Sequence, residues 1–527
     1  MTLTETNNLD KSPEGKDARI KQYKNLAKHE DMRRRRNECS VEIRKMKGDQ
    51  LLMKRRNLKE DDDESEVSDA EKPTAVATKP AVLTNEEVLN ILTNNPNLEQ
   101  MRNCFESLRR TLSKTKNPPV DEVIKCGLLE ALVRALSVED DKVRFEAAWA
   151  LTNVVSGTSS QTVAAVEAGA TAPLIVLSVN QSPALAEQAL WAVANIAGDS
   201  AQLRDYVIEC HGVDALVALM DRLDSLEDSF ARTLAWAYSN MCRHKNPNAP
   251  LPILEVLSKG LAKLVQHSDK QVRQDACWAI SYLSDGPDEQ IALTKNSGVL
   301  PTVLKFLREG DTLVAPALRV LGNMATGNDE LTQTVVDLGT LGELESLMER
   351  ARSSTVIKEC CWLLSNIIAG TQAQIQAVID AGLLPFIIEV LKSGEFKCQF
   401  EASWAVANLA QGGTSKQIVA LVSDGAVSVL CGLLTQTNAD LLTNTLETLY
   451  TILSTVSTTN SHLYETIQTE IEEAGGLDNF EKLQGSESEK VYDLCHRIIS
   501  EFFADDADGS MENRYANADE NAGPYSF

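Results

Sequence analysis

The chain has 527 residues and a formal charge of −25. That balance excludes a bulk surface built to bind nucleic acid or an anionic membrane, and it favours positively charged partners. Apolar residues make up 43% but aromatics only 5%, so the core rests on Ala, Leu, Val and Ile, which suits interlocking helices better than aromatic-rich strands.

The N-terminal region opens on a polar stretch with no signal-peptide pattern. From Lys16 to Lys59 there are 16 Lys/Arg against 6 Asp/Glu, a net of +10, which leaves −35 for the remainder. Within this arm stand Met32-Arg33-Arg34-Arg35-Arg36, then Arg44-Lys45, then Lys54-Arg55-Arg56-Asn57. Glu38 to Arg56 holds good helix formers and no proline, so a partner can fold it as a basic amphipathic helix. The Lys54-Arg55-Arg56 end can instead bind extended. A basic arm reads either as a nuclear or nucleic-acid signal or as a ligand for the chain's own acidic remainder. Glu60 to Glu71 then carries eight acids, and a Pro/Thr/Ala stretch follows to about Pro80. Segments this polar cannot bury enough surface to fold alone, and the same holds for the acidic tail from about Ala504.

The body between them is a repeat. Its six tryptophans, Trp149, Trp191, Trp236, Trp278, Trp362 and Trp404, are spaced by 42, 45, 42, 84 and 42 residues, and Arg319 stands in the double gap. Four residues after each register position come Asn153, Asn195, Asn240, Tyr282, Asn323, Asn366 and Asn408, with a weaker eighth copy at Leu446…Tyr450. A period near 42 without strand-like alternation marks an armadillo or HEAT solenoid. Recurring glycines (Gly127, Gly169, Gly212, Gly298, Gly339, Gly382, Gly425) punctuate a short helix, a second helix and a long third helix bearing the Trp and Asn. Three helices per unit fit armadillo better than HEAT. The expected fold is an all-α, right-handed armadillo solenoid with an inner groove.

Residues i and i+4 share one helix face, so each Trp neighbours its Asn. The core positions are already filled by aliphatics, and repeatedly burying Asn would require a partner each time, so an exposed ladder along the groove is expected. Asn offers a donor and an acceptor and can hold an extended backbone without reading its sequence. Slots between rings take the stems of Lys or Arg, worth about 0.5–2 kcal/mol per cation–ring contact. Three residues before the register positions stand Glu146, Gln188, Thr233, Asp275, Pro316, Glu359 and Glu401, with Asp199 just after the second Asn. Arg319 is expected to repel a lysine, so the groove reads as two sites, Trp149–Asn240 and Trp362–Asn408.

The eleven cysteines include no CxxC and read as small buried apolar residues of a reducing compartment. The longest apolar runs, such as Gly382–Val390, are too short to span a bilayer. Six scattered histidines show no metal spacing, and no phosphate loop, GxSxG or paired catalytic set appears. No enzyme activity, metal or cofactor is therefore expected. A catenin-like scaffold would need a basic groove for acidic ligands, and here the groove carries acids.

The MRRRR…KRRN arm, the acidic linker, the Trp-x-x-x-Asn array and the acidic C-terminal region together resemble the importin α (karyopherin α) family over almost the whole chain. Gly48 and Asp49 depart from that family's pattern, as does a longer polar stretch before the arm. The resemblance implies an importin-β-binding, autoinhibitory arm over 1–60, a linker over 61–80, about ten armadillo repeats over 81–503 and a tail over 504–527. It implies a major site for nuclear localisation signals (NLS) at Trp149, Asn153, Gly157, Thr162, Gln188, Trp191, Asn195, Asp199, Trp236 and Asn240, with Asp199 taking the signal's critical lysine. It implies a minor site at Arg319, Asn323, Glu359, Trp362, Asn366, Glu401, Trp404 and Asn408. Arg33, Arg34, Arg35, Arg36, Arg44, Lys45, Lys54, Arg55 and Arg56 would serve importin-β binding and autoinhibition. Implied partners are importin-β, basic cargo, an export receptor with Ran-GTP acting on the last unit (475–502), and indirectly the nuclear pore. Nucleic acid and membrane are not among them, and the chain would shuttle between cytoplasm and nucleus.

Overall fold

The local signals that start and stop each helix are explicit. Thr158, Thr371 and Thr414 each accept a hydrogen bond from the backbone N–H three residues on, and their own backbone N–H groups donate to Gln161, Gln374 and Gln417 Oε1. These reciprocal caps satisfy amides that a helix start leaves unpaired. At the end of the short first helix the chain turns through a left-handed residue, such as Gly169 with φ 87°, a conformation open to glycine at little cost. One expected glycine does not do this: His211, with φ 66°, takes the turn and Gly212 begins the next helix. Second helices often open on proline, as at Pro301 and Pro385, where the missing N–H costs nothing.

The structure is a computed structural model describing residues 54–55, 82–114 and 117–503. Every regular element among them is helical. They divide into two compact units, one ending at Gly370 and the other beginning at Thr371. In the first unit the long third helices are Leu98–Leu112, Asp141–Val155, Pro183–Ala197, Asp228–Arg243, Lys270–Leu283, Asp311–Thr326 and Ser354–Ile368. In the second they are Phe396–Gly412, Ala439–Thr459 and Glu489–Phe502. Consecutive long helices within a unit pack side by side, so each buries the apolar face its neighbour cannot bury alone.

Among the repeats described in full, three helices per repeat fails at one place. After Asp228–Arg243 the chain runs without a short helix through 244–250 into Leu251–Leu264. The fully buried Arg204 guanidinium braces this segment, donating to the carbonyls of His244 at 2.7 Å and Pro247 at 2.9 Å. It supplies donors that helical amides would otherwise provide.

Ion pairs also staple repeat to repeat. Arg102 forks onto Asp140, and Arg232 onto Asp269. Both aspartates also cap their helices, accepting from Val143 and Val272. The guanidinium and the cap hold each carboxyl down to about 2. The ten described cysteines are all free, and eight are buried, as the sequence implied. Burial pushes the Cys242 thiol up to about 12. No single described helix is long and apolar enough to cross a membrane.

Candidate functional site

The turn between Asp141–Val155 and Ser159–Glu167 is set by the Thr158–Gln161 cap. A Cβ on Gly157 would fall 2.0 Å from Gln161 Oε1, so any larger residue there would push the capping Gln161 side chain aside. Its carbonyl, the Thr162 hydroxyl and the Asp199 carboxylate converge on one cation. The Lys54 ammonium donates to Gly157 O at 3.0 Å and Thr162 Oγ1 at 2.8 Å, and it pairs with Asp199 Oδ1 at 2.5 Å. Two neutral oxygens and one carboxylate match the three donors of an ammonium. Ser159 Oγ donates to the same Asp199 oxygen at 3.0 Å.

Arg55 is held by its main chain and its side chain separately. Its N–H donates to Asn195 Oδ1 at 2.9 Å, and its carbonyl accepts from Asn195 Nδ2 at 3.0 Å and Trp191 Nε1 at 2.7 Å. Its guanidinium lies 4.7 Å from the Trp236 ring centroid and donates to Asp275 Oδ2 at 3.0 Å. Asp275 was legible as one of the groove acids but not as part of this site. Burial pushes the Asp275 carboxyl above its ordinary range, and the Arg55 charge opposes that shift. Lys54 and Arg55 thus occupy the residues expected to hold a basic signal. The other arm residues singled out in the sequence, Arg33, Arg34, Arg35, Arg36, Arg44, Lys45 and Arg56, lie outside the described residues, as do the linker and the tail.

The expectation of an exposed ladder holds only in part. Trp149, Trp236 and Trp362 are 6%, 1% and 4% exposed, and Asn153, Asn195, Asn240, Asn323, Asn366 and Asn408 are all buried, whereas Trp191, Trp278 and Trp404 are half-buried. Cations and aromatic rings lie on two of these indoles: Arg109 and Phe145 on Trp149, Arg55 and Trp191 on Trp236. Long helices packed roughly 8–10 Å apart leave slots that one stacked cation fills. The asparagines divide their two functions. Their amide nitrogens bridge to the preceding repeat: Asn153 to Ser113 Oγ, Asn240 to Ala194 O, Asn323 to Ser281 O and Asn366 to Gly322 O, at 2.8–3.1 Å. The buried Oδ1 atoms of Asn153, Asn240 and Asn366 have no hydrogen-bond partner. An unmet buried acceptor costs about 1–3 kcal/mol, so each is suited to a peptide N–H. Gln188 also bridges repeats, donating to Thr152 Oγ1 at 2.7 Å.

Arg319 does not stand as a bare repelling charge. Its guanidinium forks onto Glu359 at 3.0 and 3.1 Å and lies 5.8 Å from the Trp362 ring centroid. Trp362 can lie this close to the preceding helix because a Cβ on Gly322 would meet its ring at 2.0 Å. At the middle position Tyr282 stacks on Trp278 of its own helix, with centroids 6.4 Å apart. In the second unit, Trp404 meets Phe400 edge-on at 6.4 Å, and Glu401 and Asn408 are buried. Arg319, Asn323, Glu359, Trp362 and Asn366 belong to the first unit and Glu401, Trp404 and Asn408 to the second.

Stacked helical repeats that hold a Lys-Arg segment by rings, amides and carboxylates define an armadillo-repeat protein that clamps basic chains. Comparison with known families agrees: armadillo/beta-catenin-like repeats match residues 116–156, 158–198, 259–285, 328–369 and 371–411, and an atypical Arm repeat matches 465–517. An importin beta binding domain matches residues 19–105, running past the arm into the first described helices. The chain is 62% identical to importin subunit alpha-2 of Caenorhabditis elegans, with all of both chains covered. It is 36% identical to importin subunit alpha-3 of Arabidopsis thaliana, over 97% of this chain and 95% of that one. A crystal structure of an engineered protein superposes with a TM-score of 0.70 at 27% identity, covering 79% of this chain and 98% of its own.

The chain belongs to the importin α family, the nuclear import adaptors that join basic localisation signals to importin-β.

Proposed function

We propose that the residues around Lys54 and Arg55 form the chain's major signal-binding site and that the arm is its resident competitor. The supporting observation is the double clamp, in which Lys54 pairs with Asp199 while Asn195 and Trp191 hold the Arg55 main chain. A cargo signal with lysine then arginine would make the same bonds. The arm is tethered by roughly 25 residues of linker, which gives an effective concentration on the order of millimolar. Importin-β would draw the arm away and so raise cargo affinity.

Arg319, Asn323, Glu359, Trp362 and Asn366 of the first unit are proposed for the minor site, and Glu401, Trp404 and Asn408 of the second unit are proposed, by the family resemblance alone, to serve the same second basic cluster. Residues 1–60 then serve as the arm, 61–80 as its tether, 81–503 as about ten repeats and 504–527 as an acidic tail. The last unit is proposed as the surface for an export receptor with Ran-GTP. Pore components are reached indirectly, through importin-β. The chain would shuttle between cytoplasm and nucleus and act by binding alone, without a cofactor.

The test is a titration of a labelled basic peptide into the full chain, the full chain with importin-β, and a chain lacking residues 1–70. Tighter binding in the last two is expected. Equal affinity in all three would refute the competition.

A further inference from the structure

The ring at Trp149 carries a cation supplied by the repeat before it. Arg109, on Leu98–Leu112, places its guanidinium carbon 4.6 Å from the Trp149 centroid and donates through Nε to Glu146 Oε2 at 2.8 Å. Its side chain is 11% exposed, and Glu146 lies deeper still at 7%. This repeats the chemistry by which Arg55 is held: a guanidinium on an indole face with its head on a buried carboxylate. Arg319, Glu359 and Trp362 form the same arrangement, with the acid again three residues before the ring. At Trp236 the residue in that place is Thr233, and the ring carries Arg55 from the arm instead. An acid three before a ring therefore coincides, at Trp149 and at Trp362, with an arginine built into the preceding repeat.

We propose that Arg109 is a resident occupant of a further cation slot at Trp149 and so limits the length of basic cluster that this stretch of groove can read. The inference rests on the groove being the signal site. Burial holds the Glu146 carboxyl above its ordinary range even with Arg109 beside it. A carboxylate so placed demands a cation, and without Arg109 a peptide side chain would be drawn to it. Lys142 does not take that part, because its ammonium pairs with Glu106 at 3.1 Å. Arg109 is thus a specificity-determining residue: it subtracts one slot from the ladder.

The experiment measures dissociation constants of two fluorescent peptides for the full chain at physiological salt. One carries a Lys-Arg-Arg-Asn core in alanine flanks, and the other has the same core with lysines in both flanks. Competition by the arm is common to both peptides and cancels in their ratio. Arg109→Ala should raise the preference for the lysine-flanked peptide by about five-fold or more over wild type, and adding Glu146→Gln should bring it back. Arg109→Lys, which keeps the slot filled, should behave as wild type. If the alanine variant does not fold, Arg109→Gln frees the same carboxylate and should move the ratio in the same direction. A ratio unmoved by both Ala and Gln, whether or not melting temperature falls, would overturn the proposal and leave Arg109 a staple between repeats. Failure of the underlying site looks different: Asp199→Lys would then leave the core peptide's affinity unchanged.

Discussion

At Trp236 a guanidinium lies 4.7 Å from the ring and bonds Asp275; at Trp362 one lies 5.8 Å from the ring and bonds Glu359. The first belongs to Arg55, 220 residues from its carboxylate in sequence, and the second to Arg319, 40 residues from its own. Both slots satisfy an indole face and a buried acid with one arginine. The difference lies in delivery. Arg319 rides on a helix already packed against its neighbour, so forming the contact orders little that was not already ordered. Arg55 arrives on a tethered segment, and any chain presenting the same cation can replace it. One slot is thereby part of the fold, and the other is a binding site.

The largest expected effect sharpens that contrast. Asp199→Lys sets a like charge against the incoming ammonium and should weaken basic-peptide binding on the order of 100-fold, about 3 kcal/mol, with the melting temperature unchanged. An unaltered dissociation constant at low salt would refute the assignment. The converse holds for Arg319→Ala, which removes the guanidinium fork from the buried Glu359, 2% exposed. It should cost about 2 kcal/mol of stability in denaturant titration, whereas removing residues 1–70 should leave the midpoint nearly in place. If the two changes destabilise equally, the contrast between the slots fails.

Asn195→Ala removes both side-chain bonds to the Arg55 main chain. A loss of about 1–2 kcal/mol in peptide binding is expected, equal for lysine-rich and arginine-rich peptides because the contact reads backbone alone. A loss confined to one class would contradict that.

The acids of the two roles should also respond oppositely to pH. The Asp275 carboxyl is raised by burial, so the folded chain holds that proton more tightly than the unfolded chain does. Its ionisation subtracts stability as pH rises above the unfolded carboxylate value, while binding of an arginine requires the ionised form. Peptide affinity should therefore fall as pH is lowered into the range where this raised carboxyl takes up its proton, and Asp275→Asn should flatten that slope. Asp140 and Asp269, lowered to about 2, contribute stability that is present above the unfolded value and lost as pH falls towards 2. The smallest effect follows from them: Asp140→Ala or Asp269→Ala should cost about 1 kcal/mol each through loss of the helix cap, read as a small fall in melting temperature.

Much of the site was legible because repetition amplifies weak signals. A single Trp-x-x-x-Asn says little, but seven register positions mark the same face on seven successive long helices. The acids were legible as a row. Their pairing was not: Asp275 stands three residues before Trp278, yet it serves the cation on Trp236. Arg109 was illegible because nothing in Leu98–Leu112 distinguishes it from Arg110 until Glu146 and Trp149 are brought beside it. The missing short helix after Arg243 and the left-handed His211 escaped for a similar reason, since tertiary contacts there override the local pattern.

Helical class, repeat register, the split between a basic arm and an acidic body, and membership of the importin α family were written in the order of residues alone. Spacing along a helix decides which side chains share a face, and that needs no knowledge of the neighbours. Only the stacked structure decided that the ladder amides bridge repeats with their nitrogens and leave the buried oxygens of Asn153, Asn240 and Asn366 unpaired. It also decided which arginine covers which ring. Those outcomes depend on how far and at what angle one helix lies from the next, and that distance is set by packing across repeats rather than by the period within one.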